Sequence, residues 1–373
     1  MDRPEISLIV PTLNEAANLP ALAERIHAAL AGRAYELLIV DDDSQDDTPA
    51  VCAALAERFP LRLITRPRPD NGLSGAVLLG MKEACGDILV CMDADLQHPP
   101  ESLPGVIAPL RAGDADFVIG SRYAAGGSIE HGWTPYRWLN SRVATLLARP
   151  FAGRVADPMS GFFALHRATY EQALRLTPLG YKIALELLCK CRVRRVREVP
   201  IHFGRRVAGE SKLSLREQFR YLEHLSRLYD FSFPRAVPIS KFVIVTVLSW
   251  AVALCNVVAL SAGGWRTLPA VAWGYALVIL TTAIFHARYV RTQRDFLVRP
   301  HPWVDFFLAS LGEWATCVGM AWYLVWRAPA ASVAEVTVLS FAAALATRYA
   351  MRKELLLDVR GLRHEVRKDE MLP

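Results

Sequence analysis

From Ile6 to about Ile201 short β-branched runs alternate with amphipathic stretches, and after Ile239 long apolar runs replace them. In the first part, Ile6 to Val10, Leu37 to Val40, Leu61 to Ile64, Ile88 to Met92 and Phe117 to Ile119 have the length and composition of buried strands. Between them, Asn18 to Ala31 places Leu19, Leu22, Ile26 and Leu30 on one helical face, and Thr48 to Phe59 follows the same logic. Repetition of strand, helix, strand predicts an α/β fold with an open, mostly parallel sheet and right-handed crossovers. Ligands of such sheets bind beyond the carboxyl ends of the strands, so the turns after each strand are the places to look for chemistry.

In the second part, Phe242 to Ala262 is 21 residues without a charge, and Leu268 to Ala287 is 20 with only His286. Each is long enough to cross about 30 Å of hydrocarbon. Phe306 to Trp326, in spite of Glu313, and the Ala-rich Ala328 to Thr347, in spite of Glu335, extend the expectation to four spans. Arg288, Arg291, Arg294 and Arg299 follow the second run, and Arg348, Arg352, Lys353, Arg360, Arg363, Arg367 and Lys368 follow the fourth. The two opposite loops hold only Arg266 and Arg327, so both termini are expected in the cytoplasm. Trp265, Trp303, Trp322 and Trp326 fall near the expected interfaces. Glu313 reads either as a functional intramembrane carboxylate or as a bridge between neighbouring helices.

Composition agrees with a membrane protein. The 373 residues are 53% hydrophobic and 21% charged, which excludes a disordered chain and is too apolar for an ordinary soluble enzyme. The net charge is +6, and from Ile239 onward 14 basic residues stand against 9 acidic ones, so the excess belongs to the second part. Seven cysteines without a C-x-x-C pair argue against a disulfide framework and a structural zinc site, and read as reduced, packed thiols. Met1-Asp2-Arg3-Pro4 runs straight into the first strand without an apolar leader, so a catalytic part folding in the cytosol is expected.

The chemistry gathers at three strand ends. The first strand runs into Pro11-Thr12-Leu13-Asn14-Glu15, the second into Asp41-Asp42-Asp43-Ser44, and the fourth into Asp93-Ala94-Asp95-Leu96-Gln97. Acidic clusters at one edge of one sheet repel one another unless a cation or the donors of a nucleotide lie between them. In Asp93-Ala94-Asp95 the carboxylates are two residues apart, so an extended chain points both to one side, with Gln97 adding a neutral oxygen. An oxygen-only set suits Mg²⁺ or Mn²⁺ bridging phosphates. Neither G-x-x-x-x-G-K-[ST] nor, after the first strand, G-x-G-x-x-G is present, which disfavours an ATPase or a dinucleotide oxidoreductase and points to a nucleotide-sugar enzyme.

Six motifs in order, Pro11-Thr-Leu-Asn-Glu15, Val40-Asp-Asp-Asp-Ser44, Met92-Asp-Ala-Asp-Leu-Gln97, Gly120-Ser-Arg-Tyr123, Asp157-Pro-Met-Ser-Gly-Phe162 and Gly209-Glu-Ser-Lys-Leu213, resemble those of family 2 glycosyltransferases of the dolichyl-phosphate mannose synthase type. The resemblance covers about Ile6 to Leu222, and the four-span part is similar to the GtrA-like membrane module of some prokaryotic members. It implies a GT-A, Rossmann-like catalytic domain over 1–214, an amphipathic interfacial connector over 215–238, an all-α four-span domain over 239–350 and a basic cytoplasmic tail over 351–373. The implied reaction moves a hexose, mannose from GDP-mannose, to a polyprenyl phosphate at the cytoplasmic membrane face. Matched by position, Pro11, Leu13, Glu15, Val40 and Asp42 would hold base and ribose, while Asp93, Ala94, Asp95 and Gln97 would surround diphosphate and metal. Asp95 and Gln97 would be the metal ligands, and Arg122, Arg206 and Lys212 the cations around the donor phosphates. Arg122, Arg137 and Ser141 would contact the acceptor phosphate, and Asp93, Asp95 and Arg122 would form the catalytic set. Leu13 stands where the family pattern has Tyr, which keeps a UDP-hexose donor open.

Tyr136 to Phe151 is apolar at Leu139, Val143, Leu146 and Leu147 and basic at Arg137, Arg142 and Arg149, which fits a helix lying at a membrane surface. Leu215 to Phe233 is a second such helix and leads into the first span. The acceptor phosphate monoester, with a second pKa of about 6, is an anion at neutral pH and needs no strong general base. In-line attack on the anomeric carbon would invert it, giving a β-linked product from an α donor. A processive synthase would need Q-x-x-R-W, and Thr134 stands where that Gln would be. A lipid-sugar transporter or scaffold with a degenerate transferase domain is the alternative of another class. The expected partners are a nucleotide sugar, a polyprenyl phosphate and the membrane, with no nucleic acid.

Overall fold

A computed structural model describes residues 3–67, 72–130, 135–174, 176–177, 179–204, 215–233, 236–285 and 302–357. It divides into two compact units, Met1–Ser232 and Phe233–Pro373.

The strands of the first unit are β1 (Ile6–Thr12), β2 (Tyr35–Asp41), β3 (Leu61–Thr65), β4 (Ile88–Cys91), β5 (Phe117–Ser121), β6 (Ser128–Ile129), β7 (Phe163–His166), β8 (Val196–Pro200) and β9 (His202–Phe203). The helices are α1 (Leu19–Ala29), α2 (Thr48–Ala56), α3 (Gly72–Glu83), α4 (Leu103–Arg111), α5 (Pro135–Ala152), α6 (Arg167–Tyr170), α7 (Ile183–Lys190) and α8 (Leu215–Ser232). Seven strands form a Rossmann-like sheet in the order β3-β2-β1-β4-β7-β5-β8, and β6 pairs with β9 in a two-stranded ribbon. Every residue of β1 is buried, as a central strand covered on both faces requires. Its alternation serves two cores: Ile6, Leu8 and Val10 pack with Leu22, Ile26, Val106 and Ile107 on one face. Ile9 packs with Val77, Met81 and Phe163 on the other. Gly80 lets α3 lie this close, because a Cβ there would sit 2.4 Å from the Ile9 side chain.

The strand β7 was not foreseen. It runs antiparallel between β4 and β5, with Cys91 opposite Phe163 and Ile119 opposite Phe163 on its other side. Its start therefore lies at the carboxyl ends of β4 and β5, and the chain that leads into β7 is delivered to the edge where the parallel strands end. Helix α8 belongs to this unit and packs on α5 and α7. Tyr221 donates to the Ala144 carbonyl at 2.7 Å, and His224 lies 2.7 Å from the buried Glu186 carboxylate, which also pairs with Lys190 at 2.7 Å.

The second unit consists of α9 (Val237–Ala262), α10 (Thr267–Phe285), α11 (Pro302–Arg327) and α12 (Val333–Leu357). Val243–Ala262 and Thr267–Ile284 are long and apolar enough to cross a membrane, with mean hydropathies of 2.4 and 1.6. Helices α11 and α12 carry more charge along their length, Asp305 and Glu313 in α11 and Glu335, Arg348 and Arg352 in α12. Four helices thus stand where four apolar runs were expected, and among the described residues two segments have the length and apolarity of a membrane span. Gly274 sits where α10 meets α9, and a Cβ there would be 2.3 Å from Val257. The arginine-rich loop expected at Arg288 to Arg299 lies outside the described residues, as does the tail beyond Leu357.

Candidate active site

Three strand-end turns are bent by residues other than glycine in the left-handed region: Asn14 (φ 57°), Asp43 (φ 63°) and Leu96 (φ 62°). A leucine there is uncommon and costs about 1–2 kcal/mol, so surrounding contacts must hold it. The first two turns brace each other. Asn14 N–H donates to Ser44 Oγ at 2.7 Å, and Gln45 N–H donates to Asn14 Oδ1 at 2.8 Å. Ser44 is in turn fixed by the Asp41 carboxylate, which accepts from its N–H at 3.0 Å and from its hydroxyl.

Among the residues expected around base and ribose, Pro11 and Val40 are buried backbone positions at the ends of β1 and β2, and Leu13 is half-buried beside them. Glu15 accepts from Asn18 Nδ2 at 2.6 Å. Asp42 is held by Arg66, a buried guanidinium that also donates to the Gly72 carbonyl at 3.2 Å. Arg66 was missed because it follows β3, where no motif marked it.

The remaining described site residues meet around a cavity of about 210 Å³ lined by Asp93, Asp95, Gln97, Arg122 and Ser141, together with His98, Ser160, Gly161, Tyr181 and Lys182. The extended chain ends at Cys91 and bends over residues 94–96, so a bend and not strand alternation brings Asp93 and Asp95 to this cavity. Ala94 is buried beneath them. Asp95 Oδ1 accepts from Gln97 N–H at 3.1 Å. Gln97 Nε2 donates to the Gly204 carbonyl at 3.1 Å, which turns its amide oxygen away from that contact. Two carboxylates and an amide oxygen at one turn fit a hard divalent cation. Among the described residues no three His, Cys, Asp or Glu side chains form a metal cluster.

Sequence reasoning also passed over His98. The Asp93 N–H donates to its Nδ1 at 3.2 Å, and its ring packs against Phe162 and Phe203. Burial pushes its pKa down to about 4, so it is a neutral brace for Asp93 at pH 7 rather than a countercharge. Gly161 completes the brace: a Cβ there would be 3.1 Å from an Asp93 carboxylate oxygen, tighter than most packed contacts.

The segment before β7 fixes Arg122. Asp157, with no exposed surface, accepts from Arg122 Nη2 at 2.6 Å, from Nε at 2.7 Å and from the Arg122 backbone N–H at 3.0 Å. Burial alone would raise the Asp157 carboxyl, but the hydrogen bonds and charge of Arg122 outweigh it and hold the pKa below the usual value. Ser160 donates to the Gly120 carbonyl at 2.7 Å, joining the two motifs at the ends of β5 and β7. From α5, Ser141 Oγ lies 2.9 Å from the Tyr123 hydroxyl. The Arg137 backbone lies in α5 and its side chain is outside the description; Arg206 and Lys212 lie outside the described residues. Lys182, absent from the expected set, donates to the Met159 carbonyl at 3.1 Å and stacks over Tyr181 at 4.4 Å. Burial and the charge of Arg122 bring its pKa down to about 8.

The outward side of α5 carries a row of apolar side chains. Trp138, Leu139, Val143, Leu146 and Leu147 are exposed there, and Phe219 and Leu222 are exposed on α8. Exposed leucines scattered singly are ordinary, but a row along one helix beside another marks an interaction surface.

Residues 7–174 match the model of glycosyl transferase family 2. The chain is 46% identical to a dolichol-phosphate mannosyltransferase of Pyrococcus furiosus over 60% of its own length and 63% of the relative's. It is 41% identical to one from Mycosarcoma maydis, covering 66% of this chain and 85% of the relative. To one from Saccharomyces cerevisiae it is 43% identical, covering 61% and 88%. Among solved structures, glucosyl-3-phosphoglycerate synthase of Mycobacterium tuberculosis, in complex with Mn²⁺, UDP-glucose and phosphoglyceric acid, is 23% identical with a TM-score of 0.46, covering 61% of this chain and 79% of that one.

Proposed function

From the premise that the chain belongs to glycosyl transferase family 2, in its dolichol-phosphate mannosyltransferase group, and is a glycosyltransferase of GT-A fold, we propose that it transfers a hexose from a nucleotide sugar to a polyprenyl phosphate. The observation that carries this reading is the cavity in which the carboxylate turn Asp93-Ala94-Asp95 meets Arg122 and Ser141, beside a helix that exposes a row of apolar side chains. The turn serves the donor: Asp95 and Gln97 would hold Mg²⁺ or Mn²⁺, and a bound cation there supplies charge for the departing diphosphate. Glu15, Val40 and Asp42 at the ends of β1 and β2 would receive the nucleoside, with Arg206 and Lys212 on its phosphates.

On the other side, Arg122 is presented by Asp157 with its planar guanidinium fixed. That orientation suits an acceptor phosphate whose anionic oxygen attacks the anomeric carbon in line, inverting it. The exposed apolar side chains of α5 and α8 would rest in the headgroup region, so that a lipid phosphate reaches the cavity without leaving the membrane. The second unit would anchor the enzyme, with catalytic unit and termini on the cytoplasmic side. Mannose from GDP-mannose is the proposed donor, on the names of the relatives. Leu13, half-buried where the family pattern has an aromatic residue, favours a test of UDP-hexoses beside it. Membranes containing the full chain should be given radiolabelled GDP-mannose, UDP-glucose and UDP-galactose in turn and then extracted with organic solvent. Label in the lipid fraction from GDP-mannose supports the proposal, and label from a UDP-sugar alone replaces the donor while keeping the reaction.

A further inference from the structure

The two lysines of the α7 segment have opposite surroundings. Lys190, at its end, is buried and paired with Glu186 at 2.7 Å. Lys182, at its start, forms no ion pair among the described residues. Its ammonium has a main-chain carbonyl at 3.1 Å and an aromatic face at 4.4 Å as neighbours, and it lines the cavity. An enclosed ammonium is costly unless an anion accompanies it. Asp157 and Asp93 favour its charge from beyond ion-pair distance, so an anion in direct contact with it is to be sought among what the cavity receives.

Sheet order says which anion. β1 and β2, which carry the proposed nucleoside residues, lie on one side of β4, while β7 and β5 lie on the other. Lys182 is tied to Met159, in the segment leading into β7, and so stands with Arg122 and Ser160 on the second side. Ser141, from the helix with the exposed apolar row, lines the same cavity. Arg122 already has Asp157 as its counter-ion, so a second positive group is required there if an acceptor that is itself an anion is to approach a diphosphate.

We propose that Lys182 binds the acceptor's phosphate, its ammonium donating to a phosphate oxygen from the side of β7 while Arg122 donates from the end of β5. This rests on the functional reading above, and assigns to that site a cation that none of the six motifs contains.

The test uses the full chain in nanodiscs and two variants. Lys182→Gln keeps a donor for the Met159 carbonyl and removes the charge, and Lys182→Arg keeps the charge. Loss of a charge-assisted phosphate contact should raise the KM for polyprenyl phosphate about 10- to 150-fold in Lys182→Gln. The affinity for nucleoside diphosphate, titrated calorimetrically without acceptor, should stay within about twofold, and Lys182→Arg should recover much of the loss. An unchanged acceptor KM in Lys182→Gln, or a nucleotide affinity that falls as far as acceptor use does, overturns the proposal. If the wild-type chain transfers no sugar to polyprenyl phosphate, the functional reading fails on its own. Inorganic phosphate titrated into wild type and Lys182→Gln then decides the assignment of Lys182: weaker binding by the variant supports it, and equal binding overturns it.

Discussion

In the first unit the buried side chains of the sheet are mostly apolar, Ile6, Leu8, Ile39 and Val90 among them, with Asp41 and Ser121 buried at its carboxyl edge and a charged cluster, Glu186, Lys190 and His224, buried between α7 and α8. In the second unit the buried set includes Ser249, Thr282, Ser310, Glu313 and Arg348, while Val247, Leu311, Trp322 and Trp326 face outward. Tyr275 donates to Glu313 at 3.4 Å, Arg348 donates to Thr282 at 3.0 Å, and Thr316 lies 3.1 Å from Thr347, so polar contacts join the helices from within. The first arrangement suits water and the second suits hydrocarbon, where apolar surface outside costs nothing and polar groups must find partners inside. The first unit resembles the second at its exposed apolar row on α5 and α8.

The largest effect expected is on chemistry. Asp95→Ala should lower transfer by at least about a thousandfold, since charge stabilisation of a leaving diphosphate is worth several kcal/mol. The far-ultraviolet circular dichroism should not change, because Asp95 sits at a polar turn; near-normal turnover would remove the carboxylate turn from the reaction. Next comes stability of the first unit. Asp157→Ala strips a buried guanidinium of its partner and should cost about 3–5 kcal/mol, read by denaturant unfolding. A loss below 1 kcal/mol would mean that water reaches Arg122 and that the pair does not fix it.

The pH dependence is of similar size and separates water-facing from lipid-facing electrostatics. Burial pushes the Glu186 carboxyl upward, but hydrogen bonds from His224 and Lys190 more than reverse this, taking it from 4.5 to about 2. A carboxyl depressed in the folded state contributes stability above its unfolded pKa and loses it as pH falls through the folded one. Glu186 should therefore contribute on the order of 3 kcal/mol at pH 7 that fades between about pH 4.5 and 2. In Glu186→Gln that acid-dependent part of the unfolding curve should be missing, and a curve unchanged in shape would contradict the assignment. The smallest effect concerns the apolar row. Leu139→Glu and Leu146→Glu should each reduce vesicle binding of residues 1–232 by about tenfold, as expected when half a leucine's transfer energy is lost. Equal binding by both variants would mean that α5 does not touch lipid.

Much of this comparison was legible in the residues. Strands β1, β2 and β4 announce themselves because both faces are buried, which leaves nearly continuous apolar runs, broken at Ser7, before Pro11, Asp41 and Asp93. The break near Ile239 was visible as a change of period. β7 was not, because four residues, Phe163 to His166, carry too little pattern and an antiparallel insertion breaks the strand-helix rhythm. Asp157 was visible as a motif residue but its role was not, since its partner Arg122 lies on another strand end. Arg66, His98 and Lys182 belong to no strand-end signal and reach the site only through folding. In the second unit the length of the apolar runs shows helices, and Glu313 and Arg348 become intelligible once they are seen buried.

The cavity between the Asp93-Asp95 turn and Arg122 is the proposed place where a hexose is joined to a lipid phosphate. Purified full-length protein in liposomes containing polyprenyl phosphate and a divalent cation should be given the donor found active in membranes. Mass spectrometry of the organic extract should show one hexose joined through phosphate to the polyprenol, with β configuration by nuclear magnetic resonance. A product consisting of free sugar in the aqueous phase, or of a polymer without phosphopolyprenol, would contradict the account.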